Sequence, residues 1–157
     1  MHFEGTLTID APRDKVWFLL TDTELVSRCV PGLESLEVVT PNQRFRVVAS
    51  VGFGTVRARF VNDMEWLGLD PPNRAGMKLH GTAAGSVVDV TSEMVLADGP
   101  DGTTSLRWSA DVAVAGALAS LAARLMGGVA QRLTGAYFKC VKKRIEEQGG
   151  PAQGEPG

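Results

Sequence analysis

The chain has 157 residues, 44% of them hydrophobic, with 16 basic against 18 acidic side chains and a formal net charge of -2. This length and apolar content describe one domain with a real core and exclude a disordered protein. The charges form no acidic or basic block, which argues against nucleic acid as the main partner.

Met1 leads directly into a strand pattern, so no signal peptide is expected there. From His2 to Asp10, Phe3, Gly5, Leu7 and Ile9 alternate with Glu4, Thr6 and Thr8, the pattern of a half-buried strand. Pro12 and Asp14 suit the first turn of a short helix whose apolar side is Val16, Trp17, Leu19 and Leu20. Thr21 or Asp22 can cap a second short helix, Glu24 to Cys29, which Pro31-Gly32 stops.

From Leu33 the period becomes two. Leu36 and Val38 start a strand that ends near Pro41-Asn42. Phe45, Val47, Ala49 and Val51 form the inner parity of the next strand, and Gly52-Phe53-Gly54 turns it. Val56, Ala58, Phe60, Met64 and Trp66 continue inside, before the Asp70-Pro71-Pro72-Asn73 loop. Met77, Leu79 and Gly81, then Val88, Val90, Ser92, Met94 and Leu96, form two more inner rows. Asp98 to Gly102 is the strongest hairpin turn, and Leu106, Trp108, Ala110, Val112 and Val114 follow it.

Val114 to Gln148 is the one long helical pattern. Leu118, Leu121, Leu125, Val129, Leu133, Tyr137, Cys140 and Val141 recur at threes and fours and fall on one face. Such a helix is roughly 45 Å long and must lie along something. The order strand, two short helices, six strands, long helix predicts an α+β fold: a curved, seven-stranded antiparallel sheet wrapped around the C-terminal helix. We expect a single domain over residues 1–147 and a flexible tail over 148–157, where Gly149 to Gly157 is rich in glycine and proline.

Strand charges fall almost entirely on the outer parity, including Arg44, Arg46, Arg57, Arg59, Lys78, Asp89, Glu93, Arg107 and Asp111. An enzyme of this architecture would want an acid, base or nucleophile inside. The inner rows offer only Asn62, Ser92 and Tyr137 as polar exceptions, and His80 sits on the outer parity. No catalytic residue and no metal site is expected. Several inner residues are small, such as Ala49, Gly54, Ala58, Gly81 and Ala110, which favours a ligand-sized cavity over a filled core. Its expected walls are Phe45, Val47, Ala58, Phe60, Met77, Leu79, Val90, Met94, Trp108 and Ala110 from the strands, and Leu121, Leu125, Val129, Leu133 and Tyr137 from the helix.

Gly127-Gly128 interrupts the helix pattern and reads as close packing, a break between two helices, or a hinge. The basic residues beyond it, Arg132, Lys139, Lys142, Lys143 and Arg144, suit the helix dipole and also an anionic membrane surface. The longest apolar run, Val112 to Ala123, is too short to span a bilayer. Cys29 and Cys140 lack metal-type spacing and read as reduced core thiols of a cytosolic protein.

Several motifs resemble a known family. They are Phe3-Glu4-Gly5, Ala11-Pro12 followed by Val16-Trp17, Cys29-Val30-Pro31-Gly32, Asp70-Pro71-Pro72, Gly81 to Gly85, and Leu106 to Val112 with its Trp108-Ser109-Ala110-Asp111 core. The layout resembles the helix-grip fold of the START/Bet v 1-like (SRPBCC) superfamily, and within it the sequence is similar to the G-subunit family of carbon monoxide dehydrogenase. The likeness runs to about Glu147. It implies a non-enzymatic accessory protein of an aerobic carbon monoxide dehydrogenase or related molybdenum hydroxylase. It also implies a place at the cytoplasmic side of the membrane. Many members carry an apolar C-terminal extension after a flexible linker, and Gly149 to Gly157 reads as a tail or the stump of one.

Together, an apolar cavity and a redox partner suggest an isoprenoid quinone, menaquinone first, as the bound ligand, with its tail along the helix and one or two donors near the mouth for its head. The competing readings are a membrane-recruitment adaptor with a filled core and a cyclase or dehydratase of the same fold.

Overall fold

The structure, a computed structural model, describes residues 1–53 and 55–149. Gly54, read above as a turn and small inner residue, and the tail from residue 150 onward lie outside the described residues. The elements are β1 (His2–Ile9), α1 (Arg13–Leu20), α2 (Thr23–Arg28), β2 (Leu33–Thr40), β3 (Arg44–Phe53), β4 (Val56–Asp70), β5 (Arg74–Ala83), β6 (Ser86–Asp98), β7 (Thr104–Gly116) and α3 (Ala119–Gly149).

Local chemistry explains where each element begins and ends. Pro12 precedes α1 with extended backbone and accepts the first helical hydrogen bond from Val16 N at 3.0 Å. Of the two candidate caps for α2, Asp22 takes the role: its Oδ1 accepts from Glu24 N at 3.1 Å and Leu25 N at 3.3 Å. Gly32 then turns the chain into β2 with φ +75, and a Cβ there would run into the Ser50 carbonyl oxygen.

The strands form one antiparallel sheet in the order β1-β7-β6-β5-β4-β3-β2. Consecutive strands from β2 to β7 are neighbours, joined by short turns. β1 pairs with β7 across the far side, Phe3 opposite Ala110 and Gly5 opposite Trp108. The two short helices therefore carry the chain from one edge of the curved, open sheet to the other. Pairing of β2 with β3 shifts register near Ser35 and Thr40, and β2 is left as a free edge with Val38 and Val39 more than half exposed.

Two expectations about α3 are corrected. Residues 114–116 belong to β7, not to the helix. Gly116, at φ +93, makes the corner, and Leu118 N donates to Ser86 Oγ at 2.8 Å. From Ala119 the helix runs without a break through Gly127-Gly128. A Cβ added at either glycine would meet nothing within 4 Å, so neither close packing nor a break accounts for the pair.

The reduced-thiol reading is also overturned. Cys29 and Cys140 form a disulfide, with Cα atoms 5.5 Å apart. The two lie 111 residues apart in sequence, and no periodicity reports that the C-cap of α2 rests on the last third of α3. Around this bond lies the densest core: Ile9, Val16, Leu20, Leu106, Val141 and Ile145 are sealed from solvent. A second cluster joins Phe60 to Ala122, Met126 and Val129 of the first half of α3. A third joins Phe45, Val47, Trp66 and Ala75 on the strands β3 to β5. Trp17 and Met94 pack against both the first and the third cluster, and members of all three line the cavity.

Candidate ligand-binding cavity

The concave face of the sheet and α3 enclose two adjoining lobes. The first, of about 350 Å3, runs from Val51, Val88 and Val112 on the strands to Met126, Ala130 and Leu133 on the helix. The second, of about 300 Å3, lies toward α2, between Ser27, Val30, Trp66, Met94 and Phe138. Val30, Leu79, Trp108, Ala110, Thr134 and Tyr137 line both, so the lobes share a wall. These volumes fall in the range of small-molecule sites. Depressions on the outer face of the sheet, such as the one bounded by Arg74, Thr91, Glu93 and Asp111, are lined by polar and charged groups instead.

The expected wall residues fall into three groups. Phe60, Leu79, Val90, Trp108, Ala110, Val129, Leu133 and Tyr137 line the first lobe. Phe45, Met77 and Met94 line the second. Val47, Ala58, Leu121 and Leu125 line neither: Val47 is sealed in the strand cluster, and the other three pack around Phe60 and Ala122. Ala49, Val51, Val88 and Val112, which parity puts on the inner face without marking them as walls, also line the first lobe. Met126, Ala130 and Thr134 form a second helical stripe at a spacing of four, beside the expected one. Its signal in the sequence is weaker, because alanine and threonine do not read as a core face. Nothing in the sequence pattern singles out Ser27.

Polar groups in the walls are few and mostly occupied. Asn62 Nδ2 donates to Val47 O at 3.1 Å, and Gly81 opposite has no Cβ because one would collide with Asn62 Oδ1. Thr134 Oγ1 donates to Ala130 O at 2.7 Å. Trp108 stacks on Phe138 with ring centroids 5.4 Å apart, and its indole edge lies over Gly5, where a Cβ would come within 2.7 Å of Nε1. Tyr137 meets Phe138 edge-on at 5.1 Å. Burial pushes the Tyr137 phenol well above its ordinary pKa, so it remains a neutral hydroxyl. Among the described residues no lysine, arginine or histidine lines either lobe. Glu93 borders both the second lobe and the outer-face depression, and its carboxylate pairs with Arg74, which lines that depression. His80, on the outer face, bonds Asp89 at 2.7 Å. At the end of the first lobe, Arg132 reaches from α3 to donate to Gly52 O at 2.8 Å, tying the helix to the β3–β4 hairpin.

A curved antiparallel sheet gripping one long helix over an apolar cavity is a helix-grip fold. Solved structures with this fold align along nearly the whole chain. A conserved protein from Geobacillus kaustophilus is 24% identical with a TM-score of 0.86, covering 94% of this chain and 97% of its own. The Zhui aromatase/cyclase from a Streptomyces strain is 21% identical with a TM-score of 0.74, covering 99% of both chains. A START superfamily protein from Mycobacterium smegmatis is 12% identical with a TM-score of 0.72, covering 93% of this chain and 97% of its own. No curated protein matches the chain in sequence. The model of the CoxG family, the G-subunit family of carbon monoxide dehydrogenase, matches residues 5–146, and the chain belongs to that family.

Proposed function

We propose that this protein is a non-enzymatic accessory protein of an aerobic carbon monoxide dehydrogenase, or a related molybdenum hydroxylase, and that it carries a respiratory quinone in its cavity. Menaquinone is the first candidate. The carrier would link the enzyme to the membrane electron-transport chain from the cytoplasmic face. The observation that carries the reading is the cavity itself: two adjoining apolar lobes whose described walls hold no cation and no acid–base pair. Family membership supplies the redox partner. Such an enzyme works in water while its electron acceptor lives in lipid, so a protein that holds the acceptor out of the bilayer closes the gap.

The energetics favour a long apolar ligand. At about 25 cal/mol per Å2, a prenyl tail that buries several hundred Å2 gains several kcal/mol. The enzyme reading fares worse. The fold hosts cyclases, but catalysis of that kind needs an acid and a base working together, and among the described walls no histidine, lysine or arginine stands beside the Tyr137 phenol, while the Glu93 carboxylate pairs with Arg74. Among the described residues no helix is long and apolar enough to cross a membrane.

The test is solvent extraction of the purified protein with mass spectrometry of the extract, followed by titration with added menaquinone. We expect bound or bindable quinone at one per chain. Ala110 lines both lobes, and Ala110→Trp is expected to abolish binding while the chain stays folded. A wild-type protein that is empty and also refuses added quinone would leave a recruitment adaptor as the better description.

A further inference from the structure

An isoprenoid quinone has two unlike ends, and the two lobes differ in the same sense. In the first lobe the side-chain amide of Asn62 spends one of its two N–H hydrogens on Val47 O. The second adds the hydroxyls of Ser27, Ser92 and Ser109, while Thr134 and Tyr137 stand on the wall the two lobes share. Thr134 spends its hydrogen on Ala130 O. Ser27 does not: among the described residues its buried hydroxyl has no hydrogen-bond partner, and Tyr137 beside it on the lobe wall carries a hydroxyl that burial keeps neutral. Ser27 is 1% exposed. A buried hydroxyl left unpaired destabilises the fold, and such a cost calls for an explanation. A serine hydroxyl moves readily between staggered χ1 positions, so an acceptor at the lobe wall can draw it round.

The two hydroxyls are also held in place together. Ser27 stands two residues before Cys29, and Tyr137 stands three before Cys140, one turn along the same side of α3. The disulfide therefore joins the two helices that present them. Charge narrows the ligand further. With no cation on the described walls of either lobe, a carboxylate or phosphate would be buried without a counter-charge.

We propose that the second lobe is a head-group subsite, in which the Ser27 and Tyr137 hydroxyls donate hydrogen bonds to a neutral, carbonyl-bearing head while the prenyl tail lies along the first lobe toward Val51 and Met126. This rests on the carrier reading and adds the orientation of the ligand and its donors. It excludes fatty acids and phospholipids as the preferred cargo.

The test uses the full, oxidised chain loaded with N-phenyl-1-naphthylamine, a neutral fluorescent apolar probe. The competitors are a short-chain menaquinone, the prenyl hydrocarbon of the same tail, and palmitate. Ser27→Ala and Tyr137→Phe each remove one oxygen and keep the shape of the wall, and circular dichroism checks that both fold. We expect menaquinone to displace the probe better than hydrocarbon or palmitate in the wild type. Each variant should weaken menaquinone about tenfold and leave the hydrocarbon unchanged. The proposal is overturned if both variants keep menaquinone affinity within about twofold, or lose menaquinone and hydrocarbon alike. Palmitate competing as well as menaquinone overturns it too. If menaquinone fails to displace the probe even from the wild type while the hydrocarbon does, the quinone-carrier reading itself falls.

Discussion

His2 sits at an edge of the sheet between two carboxylates, Nδ1 2.8 Å from Asp111 Oδ1 and Nε2 3.0 Å from Glu4 Oε1. The hydrogen bond to Glu4, followed by that to Asp111, favours the imidazolium and raises the histidine above its ordinary value of 6.5. A group whose folded pKa is raised stabilises the fold fully below the unfolded value and ceases to do so as pH rises through the folded one. The β1–β7 edge should therefore be firmer in mild acid. His2→Gln should lower the melting temperature at about pH 5 and have no effect at about pH 9. A difference that does not change with pH would show that the charge plays no part. At the same scale, the apolar walls are more legible in the sequence than the polar ones. Leu79, Val90 and Ala110 alternate in strands, and alternation reports which side a residue faces. Ser27 and Thr134 lie on helices, where a hydroxyl in sequence reads as solvent-facing, and only packing against neighbours reveals that they point inward. Ala58 on β4 and Leu121 and Leu125 on α3 share the inner face but are taken up by the cluster around Phe60, a matter of position along each element that periodicity does not encode.

At the scale of elements, α3 is built with an avoidable weakness. Gly127 and Gly128 cost helix stability relative to alanine, and the open space around both shows that no neighbour forbids a side chain. Gly127→Ala and Gly128→Ala should each raise stability by about 0.5–1 kcal/mol in urea unfolding. A loss of stability instead would mean that the helix must bend there in the folded protein. If the pair serves as a hinge for ligand entry, the double variant should also slow exchange of bound quinone, as read by stopped-flow displacement. The order of elements is readable because strand and helix periods differ, and because short turns enforce antiparallel neighbours. The boundary between β7 and α3 is not. Residues 112–123 are uncharged and mostly alanine, valine and leucine, and such a run fits either period until the Gly116 corner and the hydrogen bond from Leu118 N to Ser86 are seen.

The whole molecule is closed by a bond that sequence spacing does not reveal. Cross-linking residues 111 apart removes much of the freedom of the unfolded chain, and disulfides of such span contribute about 2–5 kcal/mol. Urea unfolding of a Cys29→Ser, Cys140→Ser double variant should show a loss of that order, and dithiothreitol should reproduce it in the wild type. If neither has an effect, the bond is not formed in solution. Its place in the chain has a further consequence. Strands β2 to β7 all lie between the two cysteines, so the bond makes them one covalent ring. A protease that cuts any hairpin inside the ring opens the circle but releases no fragment. The nicked protein keeps every wall of its cavity attached, and the pieces part only where cleavage and a reductant act on the same molecule.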